Sequence, residues 1–200
     1  MTINKTAVAH VAAVGAKGQR TKGEIVDAAK ALFYERGYTR TSFSDIVALT
    51  GIRRGNIYHY FKTKEEILDA VVERHADDFR ALLGAWNQQY SDARDRLRLF
   101  VQMLAANRGN LVRYGCPIGT LNAELGKGAL DLQIGARKLF DIFCEWLASQ
   151  FSTLGTADPR EHALHLLGRA EGIGMVGHVY NDSDLIEREV SLLLKWIDSV

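Results

Sequence analysis

The chain has 200 residues, of which 47% are hydrophobic and 24% are charged, and its formal net charge at pH 7 is +1. This length suits one or two small domains with an apolar core, and the longest apolar run is too short to span a membrane. With two cysteines and no signal peptide, we expect a protein of the reducing cytoplasm rather than a secreted, disulfide-stabilised one.

Helical patterns dominate the sequence, and the charge is unevenly distributed along it. No stretch alternates in the manner of a strand, and proline occurs only at positions 117 and 159, so we predict an all-α fold. Residues 1–64 contain 11 Lys and Arg against 4 Asp and Glu, whereas residues 65–200 contain 14 against 20. The N-terminal part is therefore the one expected to meet a polyanion such as nucleic acid.

Residues 1–20 consist mainly of small and basic residues, among them Lys5, Lys17 and Arg20, without a periodic apolar stripe. We expect a flexible basic arm here. Two roles stay open for it: a frayed terminus, or an arm that follows the backbone or minor groove of DNA.

A first helix is predicted over residues 22–36 from apolar residues at helical spacing. Two short helices joined by a tight turn should follow. Ser42 and Asp45 have the spacing of a capping box at the start of the first of them, and Gly51 tolerates the left-handed backbone that ends it. The second is predicted over residues 53–60.

From about residue 21 to residue 66 the sequence resembles the TetR family of bacterial transcriptional regulators. The residues that match the family's helix-turn-helix pattern are Thr41, Ser42, Ile46, Gly51, Gly55, Ile57, Tyr58, Tyr60, Phe61, Lys64, Glu65 and Ile67. One departure is Arg53, which stands where the family has a serine that caps the recognition helix, so we expect that cap to be lost. The resemblance implies a three-helix DNA-binding domain over residues 21–66, and over residues 67–200 a helical-bundle domain that binds an effector and dimerises.

The resemblance also assigns candidate DNA contacts. We expect Arg54, Asn56, Tyr58 and His59 of the recognition helix to read base edges, with Gly55 between them. The candidates for the phosphate side are Thr41, Ser42, Arg53, Tyr60, Lys62 and Lys64.

A long helix is predicted next, from a capping box of Thr63 and Glu66 to about Tyr90, which at 1.5 Å per residue spans roughly 40 Å. Lys62 and Lys64 flank its N-terminus, where backbone amides favour an anion such as a DNA phosphate. Because its two ends belong to the two expected domains, we predict that this helix transmits a displacement from effector to DNA.

The remaining apolar pattern predicts helices over about residues 91–107, 117–126, 129–151, 159–180 and 184–197, with a loop rich in Gly and Asn before residue 115. We expect a homodimer through the last two long helices. Four glycines there are unfavourable inside a helix and suit close helix approach, namely Gly168, Gly172, Gly174 and Gly177.

The effector is expected to be small and largely apolar, because aromatic and Met side chains suit such ligands. The candidate lining residues, which the sequence does not separate from ordinary core, are Trp86, Met103, Tyr114, Cys116, Phe140, Phe143, Trp146 and Met175. An alternative is a repressor that senses electrophiles or oxidants: Cys116 precedes the helix at Pro117, whose dipole would favour a thiolate. A small buried residue at a bend is the other interpretation of Cys116.

Other classes find less support. Glu161, His162 and His165, with His178 further on, lack the spacing of a tight metal site, so we expect no metal. No nucleophile–base pair, phosphate loop or paired carboxylate indicates an enzyme, and we expect no cofactor. A DNA-binding architectural protein with a filled C-terminal core remains an alternative. The favoured hypothesis is a ligand-responsive repressor on a pseudo-palindromic operator.

Overall fold

The structure is a computed structural model that describes the backbone of residues 5–200 and the side chains of residues 17–200. Within this part of the chain every regular element is an α-helix, which confirms the all-α prediction. The helices are α1 (Lys5–Arg36), α2 (Phe43–Thr50), α3 (Arg54–Tyr60), α4 (Lys64–Gln89), α5 (Ala93–Ala106), α6 (Arg108–Tyr114), α7 (Pro117–Leu125), α8 (Leu130–Thr153), α9 (Pro159–Tyr180) and α10 (Ser183–Ser199).

The first helix starts far upstream of the residue that the apolar pattern indicates. We expected a flexible arm over residues 1–20, but residues 5–20 form the first half of α1, and residues 1–4 lie outside the described part of the chain. Five of residues 5–20 are alanine, which has the highest helix propensity. The missing apolar stripe indicates only that this segment is not buried. It does not argue against a helix that is exposed to solvent.

The chain divides into two compact units, and the division lies between Val71 and Val72, within α4. The first contains α1, α2, α3 and the first turns of α4. The second contains the rest of α4 and α5 to α10. The division falls a few residues after position 66, where we expected the domain boundary.

The core of the first unit is built from one face of α1 and the buried positions of the two short helices. Ile25 and Ala29 of α1, Ile46 of α2 and Ile57 of α3 are fully buried. Deleting a large aliphatic side chain from such a core costs about 2–5 kcal/mol. This packing therefore fixes α3 on the unit while its other side stays open.

Both ends of α2 have the local structure that the sequence predicts. The Ser42 hydroxyl accepts a hydrogen bond from the Asp45 amide (3.3 Å), and the Ser42 amide donates to the Asp45 carboxylate (2.8 Å), which completes a capping box. These bonds lower the pKa of Asp45, because they favour its charged form. Gly51 ends the helix with φ of 69°, and Arg53 caps α3 without a side-chain hydrogen bond, as expected.

The second unit is a helical bundle that contains one helix we predicted as a loop. The helix α6 (Arg108–Tyr114) includes a glycine and an asparagine, both poor helix formers. Tertiary contacts compensate: Leu111 is buried, its side chain would lie 3.8 Å from a Cβ at Gly174 of α9, and the Val112 carbonyl lies 2.8 Å from Nδ1 of His178. The loop prediction is wrong because these partners are remote in sequence.

Candidate nucleic-acid interface and effector region

Most side chains of α3 are open to solvent. Arg53, Arg54, Asn56 and His59 are exposed, and a Cβ at Gly55 would meet nothing within 4 Å. Only Ile57 is buried. The helix thus offers guanidinium, amide and imidazole groups to solvent, and a short exposed helix of this kind fits the major groove, which is about 12 Å wide.

Tyr58 is held in place by an aromatic neighbour that sequence reasoning missed. Its ring stacks on Phe43 of α2, with centroids 4.8 Å apart and planes 5° from parallel. The Arg54 guanidinium lies 5.5 Å from the centre of the Tyr58 ring and donates to its hydroxyl at 3.3 Å. The stack restricts Tyr58 before any ligand arrives, and Tyr58 in turn restricts Arg54. The sequence feature that could have indicated this contact is the position of Phe43 directly after the cap residue Ser42.

The two hydroxyl residues before α2 differ in accessibility. Ser42 is exposed at the cap of α2. Thr41 is only 1% exposed, and its hydroxyl donates to the Gly37 carbonyl at 2.8 Å. Because the Thr41 side chain is buried, a DNA phosphate does not reach it. Thr41 was among the expected phosphate contacts, but its hydroxyl stabilises the loop instead.

Lys64 points into the unit rather than outward. Its ammonium donates to the carbonyls of Tyr38 (3.1 Å) and Thr41 (3.2 Å), and it lies 4.2 Å from the centre of the Tyr38 ring. The Tyr38 hydroxyl donates to Glu65 at 3.3 Å. We expected Lys64 to hold a phosphate, but two of its three N–H donors are engaged by carbonyls of the loop between α1 and α2.

Lys62 and Tyr60 remain at the surface near the end of α3. Lys62 is exposed, and its ammonium donates to the Tyr58 carbonyl, where the helix C-terminus favours a cation. Tyr60 is half-buried, with its ring edge against His59 at 5.1 Å. The Thr63 hydroxyl accepts from the Glu66 amide at 3.2 Å, as predicted. The Glu66 carboxylate accepts from the Lys62 amide at 2.6 Å instead of the Thr63 amide, so the predicted capping box forms in a shifted version.

The expected effector residues do not lie on one surface. Phe143 and Trp146 are buried, whereas Trp86, Met103, Tyr114 and Phe140 are half-buried. Phe143 is the centre of an aromatic cluster, 4.7 Å from Phe79 of α4 and 5.6 Å from Phe100 of α5. Met175 is 65% exposed on α9, so it does not line the interior of this bundle.

A groove of about 450 Å³ runs between α4 and α8. Trp146 forms part of it, and its indole N–H donates to Asn87 at 3.0 Å. The centroids of Trp146 and Trp86 are 5.8 Å apart. The other lining residues are Arg80, Leu83, Gly84, Ile142 and Glu145.

Cys116 caps α7 but does not have the environment of a reactive thiol. Its thiol donates to a carboxylate oxygen of Glu171 on α9 at 3.1 Å and accepts from the Gly119 amide at 3.4 Å. Burial, reinforced by the Glu171 charge, raises the pKa of Cys116, and burial also raises the pKa of Glu171. The expected preference for a thiolate at this helix start is outweighed, because nothing in the sequence around Cys116 signals the distant Glu171.

Two histidines near the start of α9 pack on an aromatic side chain. His165 lies 4.8 Å and His162 lies 6.3 Å from Trp196 of α10, measured between ring centroids. With Glu161 these residues line a surface depression of about 360 Å³. Among the described residues, no group of three His, Cys, Asp or Glu is arranged to hold a metal ion. None of the described helices has both the length and the hydropathy of a membrane span.

Comparison with known proteins adds sequence relatives to this geometry. Residues 25–71 match the family model described as bacterial regulatory proteins, tetR family. An HTH-type transcriptional regulator of Lactococcus lactis is 27% identical over 180 residues, covering 88% of this chain and 92% of the relative. The transcriptional repressor KstR2 of Rhodococcus jostii is 41% identical, but over only 64 residues, which are 32% of this chain and 30% of the repressor.

Solved structures match along most of the chain. A TetR transcriptional regulator from Chloroflexus aurantiacus is 26% identical with a TM-score of 0.80, covering 91% of this chain and 96% of the other. One from Legionella pneumophila is also 26% identical, with a TM-score of 0.76 and coverages of 90% and 96%. The similarity therefore extends beyond the helix-turn-helix to the helical bundle.

Proposed function

We propose that this chain, a DNA-binding transcriptional regulator of the TetR family, is a homodimeric repressor that a small, largely apolar effector releases from a pseudo-palindromic operator. The observation that carries the DNA-reading part is the open face of α3, with Arg54 and Tyr58 ordered by the stack on Phe43. Side chains ordered before binding lose less entropy on contact with base edges. Arg54 and Asn56 have the donor and acceptor groups that read guanine and adenine.

The DNA contacts that we retain divide by accessibility. Arg54, Asn56, Tyr58 and His59 serve for base edges, with Gly55 allowing close approach. Ser42, Arg53, Tyr60 and Lys62 serve for phosphates. Thr41 and Lys64 leave this set, because their polar groups are engaged inside the first unit.

Dimerisation is supported by an apolar stripe on α9. Leu164, Gly168, Gly172, Met175 and Val179 recur every three or four residues and so share one face of the helix. Val179 is 71% exposed, and a Cβ at either glycine would meet nothing within 4 Å. An exposed stripe of this kind suits self-association about a two-fold axis.

The four glycines of α9 have different surroundings. A Cβ at Gly177 would lie 2.5 Å from Ile186 of α10, so this glycine permits packing within one chain. A Cβ at Gly174 would lie 3.8 Å from Leu111 of α6. Gly168 and Gly172 are therefore the two that we assign to the interface between protomers.

For the effector we propose binding at the groove between α4 and α8, next to the aromatic cluster around Phe143. Its volume lies within the 300–1,000 Å³ that is usual for small-molecule sites. Release requires that the effector bind the conformation with low operator affinity more tightly. The helix α4 is continuous from Lys64 to Gln89, so a shift at the groove would alter the separation of the two α3 helices in the dimer.

Selection of duplexes from a random library with the full-length chain tests the DNA-reading part. We expect enrichment of an inverted repeat bound by two chains, as measured by sedimentation. Compounds that release this duplex should change tryptophan fluorescence in a Trp196→Phe variant but much less in a Trp146→Phe variant. Failure to enrich any sequence would contradict the regulator proposal, and release with equal fluorescence changes in both variants would contradict the effector site.

A further inference from the structure

The helix α1 extends well upstream of the domain that the family match covers. The match begins at residue 25, whereas α1 begins at Lys5. At 1.5 Å per residue, residues 5–17 alone add roughly 20 Å of helix. This segment is also basic: residues 1–23 contain four Lys and Arg, and the first acidic residue of the chain is Glu24.

Two contacts fix where α1 passes the reading helix. A Cβ at Gly18 would lie 3.5 Å from the hydroxyl of Tyr60, the last residue of α3. One turn later, the Lys22 ammonium lies 5.5 Å from the centre of the Phe61 ring. Residues 18–22 thus lie beside the C-terminal end of α3. The upstream turns of α1 directly precede this point of contact.

The cations at this point are accessible. Lys17 is exposed, and the Arg20 side chain keeps 75% of its surface. Arg20 pairs with Glu24 at 3.5 Å, but an exposed pair of this type is weak and a phosphate can compete for the guanidinium. Lys17 and Arg20 lie three residues apart and therefore project from the same side of α1.

We propose that the upstream half of α1 is a second DNA-binding element, which binds phosphates flanking each half-site through Lys17 and Arg20. The proposal rests on the DNA-reading function of α3 and extends the interface beyond the helix-turn-helix. A major groove is bordered by phosphates, so a basic helix beside the end of a helix in the groove lies next to its rim. These contacts would add affinity without changing the sequence that is read.

The magnitude follows from counterion release. Each phosphate contact contributes about 0.9 to the slope of log K against log salt, so two contacts contribute about 1.8 per half-site and about 3.6 for the operator bound by two chains. At ~0.15 M salt this corresponds to roughly 10- to 30-fold in affinity per half-site, or roughly 100- to 1,000-fold for the dimer.

The test compares four proteins on the duplex that the full-length chain enriches. They are the parent, Lys17→Gln/Arg20→Gln, a deletion of residues 2–16, and the control Lys127→Gln/Arg137→Gln. The control removes the same charge from the second unit, and Arg137 is in an exposed i,i+4 pair with Asp141 like that of Arg20. Circular dichroism verifies folding, and affinity is measured over a range of salt concentrations together with hydroxyl-radical footprints.

We expect the Lys17/Arg20 variant to lose about 3.6 units of salt slope and the outermost protected backbone positions, while the selected sequence and the inner protections stay the same. The deletion should remove protection at the same outermost positions of the footprint. If the double variant loses helix, the deletion provides the test of the proposal. An unchanged footprint and slope, or an equal loss in the control, would overturn the proposal. A parent that enriches no duplex would instead refute the DNA-reading function itself.

Discussion

Replacing Lys64 by methionine should destabilise the first unit rather than remove a phosphate contact. The change keeps an unbranched apolar side chain but deletes the ammonium and its two charge-assisted hydrogen bonds to the carbonyls of Tyr38 and Thr41. Because Lys64 is half-buried, water can partly replace these bonds, so we take about 1 kcal/mol for each. The ammonium over the Tyr38 ring adds about 0.5 kcal/mol, for a total loss of about 2–3 kcal/mol.

Hydrogen exchange followed by mass spectrometry is the suitable assay for Lys64→Met. The three tryptophans, Trp86, Trp146 and Trp196, all belong to the second unit, so their fluorescence does not report on the first. A loss of about 2 kcal/mol should accelerate exchange in α2 and α3 roughly 30-fold, since 1.4 kcal/mol is a factor of ten in an equilibrium constant.

Lys62→Met is the matched control for that experiment. Lys62 is exposed, so its loss should change stability by no more than the roughly 1 kcal/mol of a cation at a helix C-terminus, and should reduce the salt slope of DNA binding by about 1.8, one contact from each protomer. Lys64→Met should leave the slope near that of the parent. Unchanged exchange together with a slope reduced by about 1.8 units in Lys64→Met would refute the inward role and restore the phosphate contact.

Three further results are expected. Gly168→Leu and Gly172→Leu should each produce monomers in sedimentation, whereas Gly135→Leu, at an equally open position in α8, should leave the dimer intact; dimers in all three variants would contradict the α9 interface. Cys116 should react with iodoacetamide at pH 8 far more slowly than a cysteine in an unfolded peptide, because burial and Glu171 raise its pKa; equal rates would restore a sensor role. The lowered pKa of Asp45 means that its capping bonds stabilise α2 above the usual Asp pKa of about 3.9 and are lost as the pH falls through the lower folded value. The protection factor of α2, which is the intrinsic exchange rate at each pH divided by the observed rate, should therefore fall on acidification in the parent but much less in Asp45→Asn, and an equal fall in both would contradict the cap.

The parts of this fold that the sequence predicts correctly depend on nearby residues. The capping box joins Ser42 to a residue three positions away, and the Gly51 turn depends on the conformational freedom of one residue. The end of α3 and the start of α4 follow the same principle, since both are set by hydrogen bonds within four residues.

The expectations that the structure makes less favourable concern groups whose partners are remote in the sequence. Lys64 has the expected position at a helix start, but its partners lie 23 and 26 residues away. Cys116 has the expected cap position, but its Glu171 partner lies 55 residues away and reverses the direction of its pKa shift. Residue type and spacing predict the position of a polar residue within its helix. The tertiary packing decides which partner its side chain reaches.

The central claim is that the open face of α3 reads each half of an inverted repeat. Its most direct test is to repeat the duplex selection with Arg54→Ala and Asn56→Ala beside the parent. The parent should select half-sites whose centres are about 10 base pairs apart, and each variant should lose preference at symmetry-related positions in both halves, at a cost of about 1–3 kcal/mol per bidentate contact. An identical selected sequence for parent and variants, or a parent sequence without two-fold symmetry, would contradict the claim.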